Sequence, residues 1–157
     1  MKYDQIKDRL GRIASRHPLL QRRLCGILNL LLLRAWYVRR EVRALLGARP
    51  EDRPARVLDA GTGFGQYAYF VARTFPTAQV RAVDVKQDYL DRAQRFVDQT
   101  PQADQIEWAI DDLTDLRSEG PFDLILAVDV MEHIAEDEAV FAHFERVLRP
   151  GGHVIIN

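Results

Sequence analysis

Cysteine is almost absent from this chain of 157 residues, and Cys25 stands alone. A single thiol cannot form an internal disulfide, so the composition suits a reducing, cytoplasmic compartment. No metal-binding spacing such as C-x-x-C or H-E-x-x-H occurs, and no metal is expected. No P-loop lysine follows the chain's glycine turn, and there is no nucleophile elbow. Long apolar runs are missing too. Leu24–Leu33 is the richest stretch, but it contains Asn29 and is bounded by Arg22, Arg23 and Arg34. A membrane span needs about 20 apolar residues. The run also starts too late for a secretory signal, and no small-residue cleavage pattern follows it. Internal repeats and low-complexity segments are absent. The 47% apolar content over this length is enough for one domain with a real core.

Charge of one sign is lacking only on average. The net charge is −1, yet residues 1–56 hold 14 basic and 5 acidic residues, net +9. Residues 57–157 hold 8 and 18, net −10. A basic N-terminal arm therefore precedes an acidic domain, with the division placed at 1–54 and 55–157. Either the arm neutralises the domain, or it meets an anionic surface or substrate. Ile6, Leu10 and Ile13 fall on one face of a helix over Tyr3–Ser15, broken at His17-Pro18. A longer helix is expected over Leu19–Leu46, ended near Gly47 with Pro50 beyond. Its basic and leucine-rich character suits packing on the domain, or contact at a membrane interface. Glu51-Asp52-Arg53-Pro54 reads as a short linker.

Residues 57–65, Val-Leu-Asp-Ala-Gly-Thr-Gly-Phe-Gly, carry the strongest functional signal. An apolar run ends at Asp59, three glycines follow at alternate positions, and a helical pattern begins at Gln66. Such a strand, turn and helix bring a ligand to a helix N-terminus at the carboxyl end of a strand. A dinucleotide site is spaced G-x-G-x-x-G and cradles a pyrophosphate. Here the spacing is G-x-G-x-G, and a carboxylate two residues before Gly61 would repel a pyrophosphate but suit an ammonium group. Arg81–Val85 reads as a second strand with Asp84 near its end, 19 residues beyond Gly65. An acid at that place can accept from both hydroxyls of a ribose, or simply cap the next helix.

The motif resembles that of the class I S-adenosylmethionine-dependent methyltransferases, acidic-x-G-x-G-x-G. Further pieces follow in the family's order: Asp111-Asp112-Leu113 after a strand over Gln105–Ile110, Met131-Glu132-His133-Ile134 after a strand over Phe122–Val128, and Leu148-Arg149-Pro150-Gly151-Gly152 before a strand over Gly152–Asn157. The resemblance spans roughly 55–157. It implies S-adenosyl-L-methionine as cofactor, packed on Asp59, Ala60, Gly61, Thr62, Gly63 and Gly65, with Asp59 near the amino group. It implies ribose at Asp84 and the adenine amine at Asp112, or alternatively Asp111, with Val85, Leu113 and Val128 also at the cofactor. His133 is the nearest candidate base, its alternative being a histidine satisfied at a helix start.

The strands alternate with helices over Gln66–Thr74, Gln87–Gln99 and Glu136–Val147, which implies a doubly wound, mostly parallel α/β sheet with a helical arm. The family's core has seven strands, and residues to 157 account for five. The expected function is methyl transfer to a small-molecule or lipid-like acceptor, the alternative being a non-catalytic binding or scaffold module. No nucleic acid is expected, because the basic residues are interleaved with leucines rather than with aromatics suited to base stacking. Peripheral membrane contact through the arm and a homodimer are the expected associations.

Overall fold

The computed structural model describes residues 18–49 and 53–157. The expected helix over Tyr3–Ser15 and residues 51 and 52 of the expected linker lie outside them. Helix α1 runs Pro18–Gly47. The chain divides into two compact units, 1–40 and 41–157, and the division falls inside α1.

Residues 41–157 build a five-stranded sheet: β1 Arg56–Ala60, β2 Gln79–Asp84, β3 Ile106–Ile110, β4 Phe122–Ala127 and β5 Leu148–Ile156. Helices α2 Gln66–Thr74, α3 Gln87–Val97 and α4 Asp137–Val147 lie between them in sequence. The strand order is β3-β2-β1-β4-β5, and every pairing is parallel. This is the doubly wound α/β architecture expected from the alternation. The chain builds outward from β1 to β3, then returns to the other side of β1 for β4. A ligand crevice belongs outside the carboxyl ends at that reversal, between β1 and β4.

Burial explains the strand sequences. All six residues of β4 and four of five in β1 are buried, and apart from Asp59 and Asp123 these buried positions are apolar, on both faces rather than alternating. Their side chains meet Phe144, Val140 and Val147 of α4 in the core. The edge strands β3 and β5 are only partly covered.

Two boundaries depart from the sequence reading for visible reasons. β2 begins at Gln79 rather than Arg81, because the Gln79 amide donates to the Ala55 carbonyl at 2.8 Å and opens the ladder early. β5 begins at Leu148 rather than Gly152. Pro150 is tolerated because the strand is an edge. Gly151, at φ +78°, takes up a register irregularity between Leu148, which faces Phe122, and His153, which faces Leu124.

Candidate cofactor site

The turn after β1 is shaped by positive φ at Gly61, Gly63 and Gly65. The amides of Gly61 and Thr62 both donate to the Val83 carbonyl of β2 at 2.9 Å, which folds the loop over the sheet end. The three glycines then face different neighbours. A Cβ on Gly61 would stand 2.6 Å from the Val130 side chain, and one on Gly65 would stand 2.6 Å from Trp108 and 3.0 Å from Ala93. A Cβ on Gly63 would meet nothing within 4 Å. Packing therefore explains two glycines, and the third faces open space.

Asp59 is 2% exposed. Its Oδ2 accepts from Thr62 Oγ1 at 2.6 Å and from the Ala68 amide at 3.0 Å. Ala68 lies in the first turn of α2, where amides have no partner within the helix, and the N-cap Gly65 has no side chain to offer one. Asp59 thus caps α2 from the preceding strand. Burial pushes its carboxyl up to about 6, against the two hydrogen bonds and with a contribution from the Asp84 charge.

Asp84 closes the loop from the other side. Its Oδ2 accepts from the Gly63 amide at 2.9 Å, and its Oδ1 accepts from the Lys86 amide at 2.9 Å. Each oxygen keeps a further lone pair for a ligand. Asp112 accepts from Thr114 at both the amide (2.9 Å) and the hydroxyl (2.8 Å), which hold its carboxyl below the usual range. Asp111 is buried and turned inward, its oxygens taken by the Arg117 and Ser118 amides and by Ser118 Oγ.

These carboxyl-end loops enclose a cleft of about 430 Å³. Of the residues expected at a cofactor, Gly61, Gly63, Asp84, Val85, Asp111, Asp112 and Leu113 line it, and so does the candidate base His133. Asp59, Ala60 and Thr62 are buried beneath the loop, Val128 is buried at the end of β4, and Gly65 faces Trp108. His133 sits in a 3₁₀ turn, Met131–His133, with Nε2 3.6 Å from Glu132 Oε1 at the surface. The sequence reading passed over five lining residues: Lys86, Tyr89, Asp129, Val130 and Ile134. Position directly after β4 was the available signal for Asp129 and Val130. Asp129 also takes φ +58°, uncommon outside glycine and a mark of special loops.

Chemically the cleft has an acidic rim of Asp84, Asp112 and Asp129, with Lys86 and His133 as the basic groups, and an apolar wall of Leu113, Val130 and Ile134. That donor set fits a ligand with hydroxyls, a flat apolar group and positive charge. It does not fit a pyrophosphate. Among the described residues no cluster could hold a metal ion.

A family profile described as a methyltransferase domain matches residues 57–152. The chain is similar to a trans-aconitate 2-methyltransferase of Azoarcus sp. (strain BH72), 32% identical over 117 residues, covering 74% of this chain and 44% of that protein. It is similar to a ubiquinone biosynthesis O-methyltransferase of Xanthomonas axonopodis pv. citri (strain 306), 29% identical over 114 residues, covering 71% and 46%. Among solved structures it resembles phosphoethanolamine N-methyltransferase 2 of Haemonchus contortus in complex with S-adenosyl-L-methionine. The TM-score is 0.62 at 30% identity, covering 74% of this chain and 27% of that one. The chain spans less than half the length of each.

Proposed function

The chain belongs to the class I S-adenosylmethionine-dependent methyltransferase family, and from that premise we propose that it transfers a methyl group from S-adenosyl-L-methionine to a small-molecule or lipid-like acceptor. One observation carries the reading: open space beside Gly63, bordered by the strand-end carboxylate of Asp84 whose oxygen orients the Gly63 amide. When bound there, the cofactor supplies a sulfonium carrying an electrophilic methyl group.

The protein's own contribution is placement. Asp84 accepts from the ribose hydroxyls with the lone pairs its two backbone contacts leave. Leu113, Val130 and Ile134 would flank the adenine, and Asp112 would accept from its exocyclic amine. Asp59 acts through the loop: by capping α2 and gripping Thr62 it fixes the backbone that the methionine half rests on. The carboxylates of the rim favour a cationic cofactor over its neutral product, which eases product release. Displacement at a sulfonium needs alignment more than proton transfer. His133 lines the cleft and is the candidate base for an acceptor that must lose a proton.

The lipid-like acceptor and a peripheral membrane position rest on the basic arm. Among the described residues no helix is long and apolar enough to cross a membrane. The curated relatives named above are O-methyltransferases or act on a small acid, which supports a small-molecule acceptor.

Calorimetry tests the cofactor half of this reading. S-adenosylhomocysteine should bind, NAD should not, and Gly63→Val should abolish binding while the folded circular-dichroism spectrum persists. A folded parent with no affinity for either S-adenosylmethionine or S-adenosylhomocysteine would sink it. Cofactor binding without methyl transfer to any lipid or small-acid acceptor would favour the non-catalytic alternative.

A further inference from the structure

Helix α1 carries two apolar stripes that differ in exposure. Val38, Val42 and Leu46 repeat every four residues and are all buried. Leu33, Trp36, Tyr37 and Arg40 recur at the i, i+3, i+4, i+7 spacing of a single face. At 100° per residue this second set falls within an arc of about 100°, centred opposite the first. Its members are exposed: Leu33 54%, Trp36 54% and Tyr37 50%. Trp36 and Tyr37 meet edge to face with centroids 5.0 Å apart. The Arg40 guanidinium lies 5.2 Å from the Trp36 ring and 4.9 Å from the Tyr37 ring. Two large aromatics and a leucine thus form one preassembled patch with a cation at its edge.

The patch's occupant is indicated by charge and residue type. Pro18–Gly47 contains six arginines and one acid, Glu41, and the whole arm to residue 56 is net +9. Tryptophan and tyrosine favour the membrane–water boundary, where the ring is buried and the polar edge stays wet. Arginines beside such a stripe reach anionic headgroups while their stems cover apolar surface.

We propose that the Leu33–Trp36–Tyr37–Arg40 face of α1 seats this protein on an anionic lipid surface, with α1 lying in the interface. The proposal deepens the reading above that the arm meets a membrane, by naming the face that does so and the sign of the lipid. Insertion of the two rings and leucine supplies the apolar part of the affinity, and the arginines restrict it to anionic headgroups.

Vesicle cosedimentation tests it on the whole chain. The chain should sediment with vesicles of phosphatidylcholine and phosphatidylglycerol, but not with phosphatidylcholine alone, and salt should release it. Exchanging both rings, Trp36→Ala with Tyr37→Ala, should weaken partitioning by at least about tenfold. Arg40→Gln should weaken it by about fivefold. Trp36→Phe should retain most of the binding. The proposal would be overturned by no binding to the mixed vesicles, by equal binding of parent and double variant, or by a dimer in light scattering that the double variant dissociates while vesicles are ignored. Capture of RNA by the same face in place of vesicles would overturn it too. S-adenosylhomocysteine calorimetry without lipid, on parent and double variant, keeps the two readings apart. Cofactor binding with no vesicle binding defeats only the membrane face, and the reverse defeats only the cofactor reading.

Discussion

Two buried carboxylates sit in the two central strands and are treated in opposite ways. Asp59 lies near the carboxyl end of β1, and Asp123 near the start of β4. Asp123 takes a bidentate pair from Arg53 at 2.8 and 2.6 Å and the Arg56 amide at 2.9 Å. Arg49 and Arg149 approach it to 3.5 and 3.3 Å. Burial alone would raise its carboxyl, but Arg53, the Arg56 amide and Arg49 hold it at about 2. Asp59 has a hydroxyl and one amide as partners, and burial wins. The amino end of the sheet is thus a neutralised clamp that ties the segment after α1 to the core. The carboxyl end keeps its negative charge poorly compensated, as a site for a cationic ligand should. One sheet divides scaffold from site by where it places arginine.

The sharpest way to break this contrast is to remove the clamp. Asp123→Ala leaves several guanidinium groups facing one another without their shared anion. Loss of a buried partner of this kind costs about 3–5 kcal/mol, and the part-exposure of the arginines places this case near the lower figure. Denaturant unfolding of parent and variant measures it. Asp123 also has a pH signature. Its folded value lies below its unfolded one, so its contribution is complete above about pH 4 and fades as pH falls toward 2. A variant as stable as the parent at neutral pH would show that the clamp is decorative.

The glycines separate scaffold from site at the next lower magnitude. Gly65→Ala forces a methyl group against Trp108 and Ala93 at a positive φ, and should cost about 2–3 kcal/mol of stability. Gly63→Ala meets no atom and should cost only the backbone strain, about 1 kcal/mol, while weakening S-adenosylhomocysteine binding. Thermal melts and calorimetry on the pair check this. Equal loss of stability in both would mean that Gly63 is as structural as its neighbour.

These contrasts show how far the sequence could be read. The strand-turn-helix at 57–73 and the acid at the end of β2 were legible because each is local: a few residues in order, with spacing set by the backbone. The partition of roles was not. That Gly65 packs on Trp108 and Gly63 on nothing depends on β3, more than forty residues away. Asp59 caps α2 nine residues on, and a strand-end acid looks the same whether it faces a ligand or a helix. The Asp123 clamp draws on Arg49 and Arg53 from before β1 and on Arg149 from β5, which come together only because β4 pairs with both strands. Asp111 and Asp112 are adjacent and interchangeable in sequence, yet one is buried on Ser118 and the other stays exposed at the rim.

Asp59 gives a pH-dependence of the opposite sign. Its folded value, about 6, lies above the ordinary 3.8. The folded state therefore binds the proton more tightly than the unfolded one, and this residue's contribution falls as pH rises from about 4 to 6. Between about pH 4.5 and pH 7 the change is about 2 kcal/mol. Asp59→Asn removes the titrating group, so the variant should gain on the parent by that amount over the same interval. Denaturation midpoints at the two pH values measure it. A parent–variant difference that stays flat would mean that the carboxyl titrates normally despite its burial.

The smallest effect joins the two acids of the site. Asp84→Asn keeps one oxygen for the Gly63 amide but loses the charge and an acceptor. If the ribose hydroxyls rest there, S-adenosylhomocysteine binding should weaken by about 1 kcal/mol, roughly fivefold, since one buried donor loses its best partner. The same substitution removes a negative charge that raises Asp59. The pH at which Asp59 titrates should therefore move down, by less than the shift burial causes, because the Asp84 charge is the least of its named influences. Calorimetry reads the first effect and the stability–pH profile the second. Weaker binding with an unmoved profile would place Asp84 at the ligand but electrically apart from Asp59. A moved profile with unchanged affinity would leave the ribose elsewhere and make Asp84 a loop tie, like Asp59 beneath it.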